Sequence, residues 1–174
     1  MRWQNEKNEI ERRITEITNK HISEILFDSE IHKWNETNSE FGKKLRGKKD
    51  IIILVEDERQ NLFGGFIANT ICLDQNVKDK KCYVFSLRKD GVYNIRKHGR
   101  NNVGCAYWIP SDENDILMAF GMDDDDNCKD IVLYRKEFSS GYCEQCCYGY
   151  QGQSFALAGK YYFNIKRIVV YQVY

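Results

Sequence analysis

Hydrophobic and polar positions divide the chain at about residue 50. Before it the spacing is helical: Trp3, Ile10 and Ile17 recur every seven residues, and Ile14 and His21 follow Ile10 and Ile17 by four. That is a narrow apolar stripe on an otherwise charged segment. It supports two readings, a helix lying on its own domain or the end of a coiled coil pairing two copies through residues 3–21. ISEILFDSEIHKWNETN follows, with turn and cap residues from Asn35 to Asn38. TNSEFGKKLRG then reads as a short helix, capped by Thr37 or Asn38, burying Phe41 and Leu45 and ending at Gly47.

After Asp50 the pattern becomes that of strands. IIILVE (51–56) is continuously apolar, as in a strand covered on both faces. LFGGFIANTICL, CYVFSL, VYNIRKH, CAYWI, DILMAF, DIVLYR and FNIKRIVVYQVY bring the expected total to eight or nine short strands. Asp90-Gly91 marks a hairpin. No long helical run separates these strands, which argues against a parallel βαβ sheet. The expectation is an α+β, β-dominated chain: an antiparallel β-sandwich flanked by short helices, with an amphipathic helix over 1–23 and the sandwich over 24–174.

Composition adds bounds. The net charge is zero, so no general affinity for polyanions follows. Eight Lys/Arg fall between Lys78 and Arg100, and eight Asp/Glu between Pro110 and Asp130. No apolar run resembles a signal-peptide core or a membrane span, and seven cysteines is an odd number. These point to reduced thiols and a cytoplasmic or nuclear protein.

The order of pieces carries a resemblance. ILFDSEIHKWN precedes a short helix, then DIIILVEDERQNLFGGFIA, YVFSL, AYWI, DILMAFG, DIVLYR and LAGKYYFNIKRIVVYQV. From about Glu24 to Val173 this resembles the TLDc domain of the oxidation-resistance proteins, on the strength of LFDS (26–29), FGG (63–65), FSL (85–87), FG (120–121) and G-x-x-x-F (159–163). The resemblance implies a helix-flanked β-sandwich, a part in oxidative-stress resistance, and contact with the vacuolar proton-pumping ATPase, with no agreed reaction. The matched residues Asp28, Ser29, Phe63, Gly64, Gly65, Phe120, Gly121, Gly159 and Phe163 read as mostly structural. Gly64-Gly65 inside a strand signals a bulge or a close backbone approach, and Asp28-Ser29 suits local backbone donors.

The remaining chemistry is sparse. Cys143, Cys146 and Cys147 crowd one loop. With Cys128 they could supply four sulfurs, but the spacing departs from that of zinc sites. As C-x-x-C the motif lacks the helix and basic neighbours that activate a thiol. Inert thiols lead, with passive oxidation as the alternative. Asp123-x-Asp125-x-Asn127 begins like a calcium loop but meets Cys128 and Tyr134 where glycine and glutamate belong. Ser29, Ser86 and Ser154 lack a nucleophile-elbow setting, and Glu56-Asp57-Glu58 and Asp112-Glu113 read as turns. Arg96, Lys97 and Arg100 form a candidate basic patch for nucleic acid. The reading is therefore a non-catalytic interaction domain without metal or cofactor. A thiol redox sensor and a nucleic-acid-binding regulator stand as alternatives.

Overall fold

The computed structural model describes residues 2–35, 39–101, 104–111, 114–153 and 155–174, and for residues 2–5 the backbone alone. Helix α1 (Arg2–Thr18) leads into strand β1 (Ile22–Asp28), and a single short turn of helix, α2 (Phe41–Leu45), follows. The sandwich proper is β2 (Ile51–Asp57), β3 (Leu62–Ile67), β4 (Tyr83–Lys89), β5 (Val92–Gly99), β6 (Cys105–Trp108), β7 (Ile116–Met122), β8 (Ile131–Tyr134), β9 (Ser140–Cys143) and β10 (Tyr162–Val173). Every pairing is antiparallel. No described helix is long and apolar enough to cross a membrane.

Two sheets share one strand. The first runs β1-β10-β2-β3-β4-β5, and the second runs β10-β9-β8-β7-β6. Residues 165–172 of β10 pair with β2, whereas 162–164 pair with β9. The inner faces meet in a core that includes Ile53, Val55 and Phe63 from one sheet and Tyr107, Phe120 and Leu133 from the other. Phe63 and Phe163 meet edge to face at 5.0 Å across this core.

The outer face of the first sheet is also apolar. Ile52, Leu54, Phe66, Tyr83, Phe85 and Val169 form a second cluster, roofed by Ile14 and Ile17 of α1. The doubly covered strand expected at 51–56 is thus observed, with alternate residues of β2 entering different clusters. The helix stops at Thr18 because Asn19 takes a left-handed conformation (φ 55°), so His21 lies beyond the apolar stripe it was expected to extend. The side chain of Trp3 lies outside the described residues.

α2 buries Phe41 and Leu45 in the inner core, as its pattern required. Its expected caps, Thr37 and Asn38, lie outside the described residues. The Ser39 hydroxyl accepts the Phe41 N–H. Gly47 ends the segment at φ 74°. Strand β9 was not anticipated, since Ser140-Gly141-Tyr142-Cys143 shows no apolar alternation strong enough to announce it.

Candidate functional site

The matched residues hold the two sheets together. A Cβ on Gly64 would overlap the Ile53 carbonyl oxygen on the neighbouring strand, and one on Gly65 would overlap the Phe120 ring from the opposite sheet. The glycines are therefore places of close approach rather than bulges in the β2–β3 pairing, which runs in unbroken register. Asp28 does more than cap a turn. It accepts the Glu30 N–H, but its main partner is Arg167, bidentate at 2.7 and 3.1 Å across a gap of 139 residues. Burial works against its charge, and the Arg167 guanidinium outweighs that, holding the carboxyl below its ordinary range. The Ser29 hydroxyl accepts the Ile168 N–H, so LFDS is stitched to the last strand. Gly159 sits at φ 74°, closing a turn with its N–H on the Phe155 carbonyl. Beside it Asn61 Nδ2 donates both to the Asp57 carboxylate and to the Ala158 carbonyl.

The cysteine loop has an organiser that sequence reasoning missed. Asp130 is buried and accepts the backbone N–H groups of Cys146, Cys147 and Tyr148 and the Tyr150 hydroxyl, at 2.7 to 3.1 Å. Gly121, at φ 63°, makes this possible, because a Cβ there would overlap the Asp130 carboxylate. Burial raises the Asp130 pKa to about 6 in spite of the four donors. The held loop then spans the open edge of the sandwich. Gly149 N–H donates to Gly99 at the end of β5, Asn101 N–H to Cys147, and the Tyr148 hydroxyl to Ala106 on β6. CEQCCYGY is a seal between the two sheets' edge strands. Its only sequence signal was an acid placed directly before an apolar strand.

The thiols separate within this seal. Cys143 belongs to the inner core, and the close pair is Cys146–Cys147, with sulfurs 3.5 Å apart. Asp130, Cys146 and Cys147 offer ligand atoms within 4.8 Å of one another, but an ion there would have to displace donors already on the carboxylate. Burial pushes the pKa of all three thiols up, and for Cys146 hydrogen bonds with Cys128 and Cys147 add to it. Such thiols are protonated at neutral pH, and the thiolate is the species that peroxide oxidises.

Arg96, Lys97 and Arg100 are not brought to one face. Neighbours on β5 point to opposite sides, and Lys97 Nζ rests 3.7 Å over the Tyr83 ring on the helix-covered side. The Arg100 guanidinium donates to the Asp79 and Gly104 carbonyls, at 3.2 and 2.7 Å, holding two loops. His98 is buried rather than solvated, 4.7 Å from the Tyr150 ring, with Nδ1 3.2 Å from the Gly149 carbonyl. Ser154, Asp112 and Glu113 lie outside the described residues.

A groove of about 610 Å³ lies beside α1, floored by Leu54, Leu62 and Val169. Arg88 bridges it, binding Glu6 of α1 at 2.7 Å, Glu56 of β2 at 3.2 Å and the Gln60 carbonyl at 2.7 Å. The groove walls carry both signs of charge, and the described residues that line it include no serine, cysteine or histidine to act as a nucleophile–base pair.

Comparison with known proteins agrees with the motif reading and extends it. The family model of the TLDc domain matches residues 4–174, which takes in most of α1. No curated protein matches the chain.

Proposed function

Because the chain belongs to the TLDc family, we propose that it is a non-catalytic protein-interaction domain acting in resistance to oxidative stress. The observation that supports this is the use made of the family's residues. Gly64, Gly65, Phe63, Phe163, Asp28, Ser29 and Gly121 each join one strand, sheet or loop to another. A pattern devoted to the scaffold leaves function to the surface, which suits recognition better than turnover. The partner is a subunit of the vacuolar proton-pumping ATPase, as the family resemblance implies.

Affinity capture with the intact chain tests this. The bait is passed through native lysate with and without brief peroxide, and bound proteins are identified by mass spectrometry. Enrichment of pump subunits over an unrelated β-sandwich bait is the expected result. Recovery of folded bait with no enriched protein would sink the reading. Clean oxidation at Cys146 and Cys147 without a partner would instead put the thiol-sensor reading first. That alternative draws on the 3.5 Å sulfur separation.

A further inference from the structure

Three thiols meet where the turn at residues 123–128 lies against the seal. Cys146 is the middle one. Its sulfur stands 3.5 Å from that of Cys147 and is also in hydrogen-bond contact with the thiol of Cys128. The Cys128 sulfur is 3.8 Å from the Gln145 carbonyl oxygen, which places it beside the start of the seal. Cys143 is engaged elsewhere, its sulfur on the backbone of Ala158. Cys128 and Cys146 are half-buried, whereas Cys147 is buried.

Both sulfur-bearing segments are held by a carboxylate that acts on backbone, not on sulfur. Asp123 accepts the N–H groups of Asn127 and Cys128 at 2.7 and 3.1 Å, closing the turn. Asp130 accepts those of Cys146 and Cys147 at 3.1 and 2.7 Å. The loops are therefore set before any ligand arrives, and the sulfurs are the atoms left to receive one. A central atom with bonds of about 2.3 Å to sulfur holds its sulfurs roughly 3.3 to 3.8 Å apart. Cys146 and Cys147 already stand at that separation.

The surroundings select the kind of ligand. Burial keeps all three thiols neutral at physiological pH, and the Asp130 carboxylate adds to this at each. At Cys147 the Met122 backbone and Arg100 oppose the effect without reversing it. A metal cation binds thiolates, so three sulfurs on Cu(I) or Zn(II) would leave net negative charge in a buried, acidic place. Zn(II) also needs a fourth ligand, and Asp130 already holds four donors. Trivalent arsenic meets thiols differently. Its hydroxide, arsenous acid, is neutral at physiological pH and exchanges hydroxyl groups for thiols. Each exchange breaks an As–O and an S–H bond, forms an As–S bond and releases one water. Nothing is oxidised or reduced, and no charge is created.

We propose that Cys128, Cys146 and Cys147 form a binding site for trivalent arsenic hydroxide. The half-buried Cys128 and Cys146 meet the ligand first, and Cys147 closes the site from within. Complete exchange consumes three thiols and releases three waters. This site goes beyond the interaction reading and does not rest on it.

The test is a titration of the full chain, kept reduced by a phosphine, with sodium arsenite. Binding is read by intact mass and by the ultraviolet absorption of As–S bonds. One arsenic per chain is expected, with all its hydroxyl groups lost. Cys146→Ser should weaken uptake by about a hundredfold or more, and Cys128→Ser by about tenfold with one hydroxyl kept on arsenic. Cys72→Ser, outside the cluster, should leave it unchanged. Because water and not protons is released, affinity should change by less than about threefold between pH 7 and pH 8, whereas a cation displacing two protons would gain about a hundredfold. Unfolding midpoints show which variants fold, and if Cys146→Ser does not, Cys128→Ser on its surface turn decides. No uptake by the folded chain, or a pH gain of the cation's size, overturns the proposal. So does uptake unchanged in the deciding variant, or lost equally in Cys72→Ser.

Discussion

The two outer faces of the sandwich are built from similar strands and have opposite fates. On the first sheet Ile52, Leu54, Phe66 and Phe85 are roofed by Ile14 and Ile17 of α1, and Arg88 fastens the helix through Glu6. On the second sheet Trp108, Ala119, Val132, Tyr142 and Tyr162 lie in one cross-strand row; Ala119 and Val132 in its middle are buried, and only Tyr162 at its end is mostly exposed. One face is closed by a helix, and the other has its centre covered by neighbouring side chains and reaches solvent at Tyr162. Apolarity alone does not tell such faces apart. What lies over them does: Tyr83 reaches the Ile17 carbonyl of α1, and Tyr171 packs in the same roofed cluster.

The largest effect should fall on the covered face. Ile14→Ala removes a fully buried side chain from the roof and is expected to cost about 2–5 kcal/mol in denaturant unfolding. A cost below about 1 kcal/mol would mean that the helix is an accessory and the comparison fails.

The second sheet's seal should respond to pH. The Asp130 pKa is raised from its ordinary value of 3.8 to about 6, so its contribution is full below the ordinary value and is lost as pH rises through 6. A loss of about 3 kcal/mol between about pH 4 and pH 7 is expected from a shift of this size. Asp130→Asn should flatten that slope. Asp28, whose carboxyl is held below its ordinary range, has the opposite sign and loses its contribution as pH falls below about 4. An unchanged slope in Asp130→Asn would show that the loop is not held by this carboxylate.

Arg88→Ala should cost about 1–3 kcal/mol, because it leaves Glu56 with Lys166 alone and releases α1 at Glu6. Hydrogen exchange should show the loss concentrated in residues 2–18. Tyr162→Ala should change stability by less than about 0.5 kcal/mol, since the ring is two-thirds exposed and its ring contact is with Tyr161. A larger loss would make the aromatic row structural.

Much of this was legible in the sequence. The switch from helical to strand spacing near Asp50, the doubly buried β2, the Asp90-Gly91 hairpin and the Phe41/Leu45 helix all follow from local pattern. What escaped depends on contacts between distant positions. Arg167 looks like any charged residue in a strand until register brings it to Asp28, and Asp130 looks like the end of an acidic run until the loop folds over it. The aromatic row is spread over five strands, one residue from each, so no stretch of sequence contains it. The basic patch failed for a related reason. Residues adjacent in a strand point to opposite faces, and a charge cluster in sequence becomes two unrelated surfaces.

Strand β10 belongs to both sheets and pairs with β1, β2 and β9, yet it follows all three of these partners along the chain. A polypeptide emerging from the ribosome would have β1 to β9 in solution before the strand that joins them. Neither sheet can close early, because the central partner of β1 and β2 has not been made. The β2–β5 and β6–β9 meanders can pair as they emerge, but the two sheets stay unjoined until synthesis passes residue 173, when β10 pairs with β1, β2 and β9. The order of translation makes this domain one that waits for its joining strand, and a message stalled before β10 would leave two meanders made but not joined.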